Sequence, residues 1–335
     1  MTSTLPAFTP EVKQRTAPLY TKLKHFVPEV EWGLVAPIID EINRLKTEKN
    51  ALILAHNYMT PDIFHGVADI VGDSLALARE AVNTTADIIV VCGVHFMAET
   101  VKILNPTKKV LIADLEAGCS LSEGITAEDV LELKRQHPGA PVVTYVNTSA
   151  AVKAVTDVCC TSGNALEVVE SLDADEIIFI PDQFLGRNVQ KLTKKKLHLW
   201  HGSCMVHDKF TPSEIRALRA QYGKLTVIAH PECPSPVVDE ADFAGSTAQM
   251  IQYVQKNRPE KIALITECSM ADNVAVNFPE VEFIRPCNLC PHMKKITLPK
   301  ILDALRDERP EVTVAEELIA PARKAIDAML AVKLR

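Results

Sequence analysis

The chain has 335 residues, 47% of them hydrophobic, and a formal net charge of −7. A weakly acidic chain without a long basic run is not built to bind nucleic acid as its main task. No apolar stretch reaches the length of a membrane span, and the start, MTSTLPAFTPEV, lacks the basic-then-apolar layout of an export signal. A soluble, cytoplasmic protein with no nucleic-acid or membrane partner is therefore expected. The nine cysteines are odd in number and scattered. In a reducing cytosol that points to reactive or metal-binding thiols rather than a disulfide framework.

Residues 1–33 are rich in Pro and Thr, then mixed, and read as an extension with one short helix, bounded at 1–35. From Pro37 short apolar, β-branched runs alternate with helical patterns. The runs are ALILAHN (51–57), DIIVVCG (87–93), KVLIAD (109–114), PVVTYVN (141–147), DEIIFIP (175–181), KLHLW (196–200), LTVIAH (225–230), KIALITE (261–267) and VEFIRP (281–286). Continuous apolar strands separated by helices predict an α/β protein with parallel sheets covered on both faces. The strands fall into three groups of three, giving expected units at 36–119, 120–204 and 205–296. Residues 297–335 hold two amphipathic helices expected to pack on the core.

Three groups prompt a search for an internal repeat. ADIVGDSL (68–75), TDVCCTSG (156–163) and ADFAGSTA (241–248) each carry an Asp with a Ser or Thr five residues later: Asp69 and Ser74, Asp157 and Ser162, Asp242 and Thr247. Each follows a strand ending in a polar residue: His56, Asn147 or His230. On the same repeat, Cys119, Cys204 and Cys290 each follow the third strand of a unit, 85 and 86 residues apart. Sites in open α/β sheets lie beyond the strand C-terminal ends. If the units pack about a pseudo-threefold axis, the three thiols meet at its centre, with Cys287 a neighbour rather than a ligand. Three thiolates suit a soft metal centre, either zinc with a water or a four-iron cluster with one iron free of protein sulfur. The spacing leaves both open, beside the plainer reading of buried, inert cysteines.

Other strand ends add polar groups: His56 and Tyr58 in AHNY, Tyr145 and Asn147 in TYVNTS, His230 and Glu232 in AHPEC, with His207 three residues after Cys204. One His after a strand is usually structural, but several at matching ends suit a site assembled from loops. Ser74, Ser162, Ser246 and Thr247 sit where helices begin. Capping suffices for such residues, although helix N-termini also hold anions. No G-x-S-x-G elbow, G-x-G-x-x-G or Walker loop is present, which argues against a serine hydrolase and a nucleotide cofactor.

HNY, GDSLALA, GVHFMAETVKILNP, DLEAGCS, YVNTSAAVKA, IIFIPDQFLGRNV, AHPEC, GSTAQMI and CPHMKKITL, in that order between residues 36 and 305, closely resemble the quinolinate synthase family. The resemblance leaves out the N-terminal extension and the last helix. It implies three similar three-layer αβα domains with short parallel sheets around a pseudo-threefold axis. It also implies a [4Fe–4S] cluster on Cys119, Cys204 and Cys290, whose open iron acts as Lewis acid. The implied reaction condenses iminoaspartate with dihydroxyacetone phosphate to quinolinate, phosphate and water, in de novo NAD biosynthesis. Substrate anchoring would then fall to His56, Tyr58, Ser74, Tyr145, Asn147, Ser162, His207, His230, Glu232, Ser246 and Thr247. Within that set Glu232, His230, Tyr58, Tyr145 and His207 carry acid–base roles. A transient contact with L-aspartate oxidase is compatible with this reading.

Two features depart from the family's pattern. HGSC (201–204) stands where many relatives have a Pro-Gly-aromatic-Cys turn, and Cys287-x-x-Cys290 resembles only some members. A Cys287–Cys290 disulfide would remove a cluster ligand. The rival class is an iron–sulfur electron carrier or redox sensor, with Cys287 or Cys233 as a fourth ligand. A zinc-stabilised structural protein is the third.

Overall fold

A run such as Ile88–Cys92 has no polar residue to turn toward water, so it forms a strand only where both faces are covered. All five of its residues are buried. The computed structural model describes residues 6–333; the first five residues of the expected extension and the last two of the C-terminal segment lie outside the described residues. It contains three four-stranded parallel sheets.

The first sheet comprises β1 (Ala51–His56), β2 (Ile70–Gly72), β3 (Ile88–Cys92) and β4 (Lys109–Ile112). The second comprises β5 (Val142–Tyr145), β6 (Val158–Cys160), β7 (Glu176–Ile180) and β8 (Lys196–Leu199). The third comprises β9 (Thr226–Ala229), β10 (Phe243–Ala244), β11 (Lys261–Ile265) and β12 (Glu282–Ile284). The strand orders are β2-β1-β3-β4, β6-β5-β7-β8 and β10-β9-β11-β12, one topology used three times. Helices alternate with the strands, as crossovers between parallel neighbours require.

Each sheet has one strand more than the sequence pattern gives. The added strands, β2, β6 and β10, are the repeat segments themselves, and they are only two or three residues long. What fixes them is the repeated Asp. Asp69, Asp157 and Asp242 accept the backbone N–H of Ile53, Val142 and Val227 at 2.8, 2.8 and 2.7 Å. Their own N–H groups donate to the carbonyls of those same residues. This paired clamp locks the register of each short strand, and the hydroxyl residue five positions on follows from it.

The N-terminal extension also differs from expectation. It forms two helices, Pro10–Leu23 and Glu29–Glu48, and Pro37 lies inside the second rather than opening the strand rhythm. Trp32, Ile38, Ile39, Ile42 and Leu45 form its buried face, which packs on β1 and on the helix Leu298–Asp307. The last helix, Glu316–Ala331, lies across Ala150–Ala154 and β6 of the second unit. The two C-terminal helices therefore tie the first and second units together. Among the described residues no helix is long and apolar enough to cross a membrane.

Candidate functional site

The C-terminal ends of all three sheets meet at one cavity. It encloses about 710 Å³ of empty space, open solvent at its mouth included. The first unit lines it with His56, Tyr58, Ser74 and Cys119, the second with Tyr145, Asn147, Ser162 and Cys204, and the loop after β8 adds His207. The third adds His230, Glu232, Thr247 and Cys290. Of the residues expected to anchor substrate or hold the cluster, only Ser246 does not face it. Ser246 is the N-cap of Thr247–Asn257, where its hydroxyl accepts the Gln249 N–H and donates to Asp73 at 3.3 Å. Helix starts are less uniform than expected. Ser74 and Thr247 are first residues of helices, but Ser162 precedes the N-cap Asn164.

The three thiols have matching surroundings. Each begins a helical turn: Cys119 caps Ser120–Glu123, and Cys204 and Cys290 precede the short turns His207–Lys209 and Met293–Lys295. Burial raises each thiol's pKa, to about 12 for Cys119 and also upward for Cys204 and Cys290. Two backbone N–H groups oppose that shift in every case, from positions two and three residues on: Leu121 and Ser122, Val206 and His207, His292 and Met293. A buried sulfur aimed at by two donors is poised to carry negative charge once a cation displaces its proton. Three such sulfurs in one cavity fit a thiolate-ligated metal centre. A second donor set shares Cys204: with His207 and Glu232 it brings one sulfur, one nitrogen and one oxygen within 4.8 Å of one another.

Glu232 is the hub of the polar groups and is 3% exposed. One carboxylate oxygen accepts from the Tyr145 hydroxyl, and the other lies 2.8 Å from His207 Nδ1. Burial alone would raise its pKa; His207, His230 and the Tyr145 hydroxyl outweigh burial and hold it below the ordinary carboxylate range. With His207 Nδ1 turned to Glu232, Nε2 meets the Thr266 hydroxyl at 2.9 Å, and Thr266 meets the Tyr58 hydroxyl at 2.6 Å. Tyr58, Thr266, His207, Glu232 and Tyr145 thus form one hydrogen-bonded chain. Burial pushes both tyrosine pKa values well up, so both hydroxyls keep their protons.

His56 and His230 occupy matching positions and share one geometry. Nδ1 of His56 accepts the Tyr58 N–H at 3.2 Å, and Nδ1 of His230 accepts the Glu232 N–H at 3.4 Å. Each ring therefore carries its proton on Nε2. Burial lowers their pKa values to about 4 and about 3, so both are neutral donors at physiological pH. In the second unit the matching position, three residues after the clamped Val142, holds Tyr145, and Asn147, two residues further on, has a buried Oδ1 without a hydrogen-bond partner. The cavity wall thus offers an acceptor awaiting a donor.

The sequence reading expects metal-binding or reactive thiols rather than disulfides, and the structure adds one disulfide to that picture. Cys287 forms a disulfide with Cys268, at the start of the helix Cys268–Ala275, and Cys290 remains a free thiol at the cavity. Backbone placement decides this: Glu267 and Asn288 bridge in parallel, which aligns the residues beside them, while Cys290 turns into its helical turn. Cys287 is thereby removed as a fourth ligand. Cys233 is fully buried among Phe210, Ile215 and Val237 on the other side of the third sheet and does not line the cavity.

Three residues escaped the sequence reading. Thr266 links Tyr58 to His207, Asp73 links the first unit to Ser246, and His292 lines the cavity beside Cys290 with its Nδ1 unpartnered. Thr266 ends β11 as His230 ends β9, and its place after an apolar strand was the available signal.

A family model described as Quinolinate synthetase A protein matches residues 40–331. Quinolinate synthase of Sinorhizobium fredii (strain NBRC 101917 / NGR234) is 56% identical over 327 residues, covering 98% of this chain and 91% of that protein. Quinolinate synthase 1 of Mesorhizobium japonicum is 58% identical over 315 residues, covering 94% and 97%. Quinolinate synthase of Xylella fastidiosa (strain 9a5c) is 60% identical over 294 residues, covering 88% and 87%.

Proposed function

The chain belongs to the quinolinate synthetase A family, and from that premise we propose that it is a cytoplasmic quinolinate synthase of NAD biosynthesis. It condenses iminoaspartate with dihydroxyacetone phosphate, releasing quinolinate, phosphate and water, with a [4Fe–4S] cluster on Cys119, Cys204 and Cys290. The observation that carries this reading is the meeting of one thiol from each unit, in matching N–H environments, at a cavity lined by paired acid–base groups. When bound, such a cluster supplies an iron without protein sulfur, a Lewis acid for a substrate oxygen. The Cys204–His207–Glu232 set would suit zinc, but it leaves Cys119 and Cys290 without a task. The electron-carrier reading lacks its fourth ligand, since Cys287 is in a disulfide and Cys233, although next to Glu232, does not line the cavity.

The chain's own residues divide the remaining work. Ser74, Ser162 and Thr247 present hydroxyls to the substrate's carboxylates and phosphate. His56 and His230 donate from neutral Nε2–H groups, and Asn147 offers its amide. Glu232, ionised and fixed by Tyr145 and His207, takes the proton that must move when the triose ketone becomes an aldehyde facing the imine nitrogen. His207 relays protons between Glu232 and Thr266, with Tyr58 as the terminal donor. Tyr145 and Tyr58 also keep water from the reacting carbons.

The test starts with iron and acid-labile sulfide in anaerobically purified protein. About four of each per chain, largely lost in Cys204→Ala, is the expected result; zinc, or a cluster indifferent to Cys204, would refute the three-thiol site. Glu232→Gln should lower quinolinate formation by roughly 10³-fold or more with iron content unchanged. Retained turnover would take Glu232 out of the proton transfer.

A further inference from the structure

Lys153 is among the largest completely buried side chains of the protein, with no exposed surface. It lies on the helix Ala150–Ala154 and is covered by Glu316–Ala331, which packs across that helix. Its ammonium donates to the Thr148 carbonyl and sits 5.4 Å from the centre of the Phe96 ring. Among the described residues no carboxylate forms an ion pair with it. Glu99 is within Coulombic reach, yet its carboxylate already accepts the Ala150 N–H at 3.1 Å. A lysine normally threads its ammonium to water along its apolar stem; this one does not reach water. A buried ammonium without a counter-ion is destabilising.

The surroundings say what would balance it. Phe96, whose ring meets the ammonium, lines the cavity. Burial lowers the Lys153 pKa; the buried Cys159, then Glu99, then Cys119, one of the three matched thiols, oppose that shift. Lys153 therefore stands behind the wall of the cavity where negative charge collects once the thiols are ligated. A four-iron, four-sulfide core held by three thiolates carries a net negative charge, and reduction makes it more negative.

We infer that Lys153 is the buried counter-charge of the metal centre, a positioning residue that favours cluster retention and raises the cluster's reduction potential from behind Cys119 and Phe96. This rests on the cluster assignment proposed above. A fixed positive charge in a low-dielectric wall stabilises the reduced centre more than the oxidised one. Without the cluster the same charge is a liability to the fold.

The test compares wild type with Lys153→Gln and Lys153→Arg, all purified anaerobically. Gln keeps a donor for the Thr148 carbonyl and loses the charge; Arg keeps the charge. Iron and sulfide are counted, the cluster midpoint is read by reductive titration, and loss of iron to a chelator is timed. The expected result is a more negative midpoint and faster iron loss for Lys153→Gln, with Lys153→Arg close to wild type. Wild-type protein without iron and sulfide would overturn the cluster assignment and this inference with it. A cluster-bearing Lys153→Gln with an unchanged midpoint would overturn the counter-charge alone. If Lys153→Gln does not fold, Lys153→Met takes its place. Should both neutral variants fail while Lys153→Arg folds, the charge serves the fold rather than the cluster, and the inference falls.

Discussion

The loops carrying Cys204 and Cys290 solve one problem by different means. Each follows the outer strand of its sheet and is bridged to the acidic residue that ends the neighbouring strand's turn, Asp182 to Gly202 and Glu267 to Asn288. In the second unit the fastener is backbone contact joined by neutral side-chain hydrogen bonds, with the Gln183 amide donating to the His201 carbonyl at 3.0 Å and the Ser120 hydroxyl donating to the Ser203 carbonyl at 3.2 Å. The Gln183 N–H donates to the Gly202 carbonyl at 2.9 Å, and a Cβ on Gly202 would lie 2.6 Å from the Pro181 carbonyl oxygen. Asp182 keeps to its own helix, capping Phe184 and Leu185. Burial, with Glu232 nearby, drives its carboxyl pKa well up against the pull of those two N–H groups. In the third unit the fastener is side chains. Glu267 accepts the Cys290 N–H at 3.4 Å and pairs with Lys294 at 2.9 Å, and Cys287 is tied to Cys268. Close backbone approach needs a glycine but no charged or covalent partner. A loop that stands off from its neighbour needs bonds to bridge the gap.

The contrast can be broken from either side. Glu267→Ala removes one partner of a buried ion pair and the acceptor for Cys290. We expect a loss of roughly 3 kcal/mol, low for such a pair because Lys294 keeps contact with water, together with reduced iron content; unfolding and iron analysis of one sample read both. Replacing Cys268 and Cys287 together by Ser should lower stability by about 2 kcal/mol while leaving iron near wild type, because Cys290 is outside the disulfide. The same drop should follow treatment of wild type with dithiothreitol, and loss of iron in the double variant would make Cys287 part of the centre. Gly202→Ala should cost about 1–2 kcal/mol, yet harm cluster retention more than the double Ser variant does, since the displaced backbone leads directly to Cys204. Equal iron in the two would erase the distinction between the fasteners.

What could be read from sequence followed the physics of each element. Nine apolar runs announced themselves because both faces of a parallel strand are buried. β2, β6 and β10 did not, because two or three residues carry no periodicity; the Asp that anchors them was visible only as a repeat of unknown meaning. The long helix Glu29–Glu48 was obscured by Pro37, whose place inside a helix runs against local preference. In the site, the cysteine spacing was legible because the three units have almost equal length. Thr266 was not, since a single threonine at a strand end is unremarkable until His207 and Tyr58 meet it. The Cys268–Cys287 pairing lay beyond reach as well. It depends on two loops lying side by side, and no spacing in the chain marks Cys268 as the partner of Cys287.

The Asp clamps bear on how this chain can change length. In the third unit the clamp at Asp242 fixes register, and the five positions from there to Thr247 set where a hydroxyl enters the cavity. An extra residue before Asp242, in the half-buried turn after Ser235–Asp239, would be absorbed more readily than one after it. One inserted after Asp242 would carry Thr247 out of register and turn a different side chain inward. The same boundary recurs at Asp69 and Asp157. Each unit is therefore divided into a stretch that tolerates insertion and a ruler of fixed length, and domain insertions or tags belong on the tolerant side.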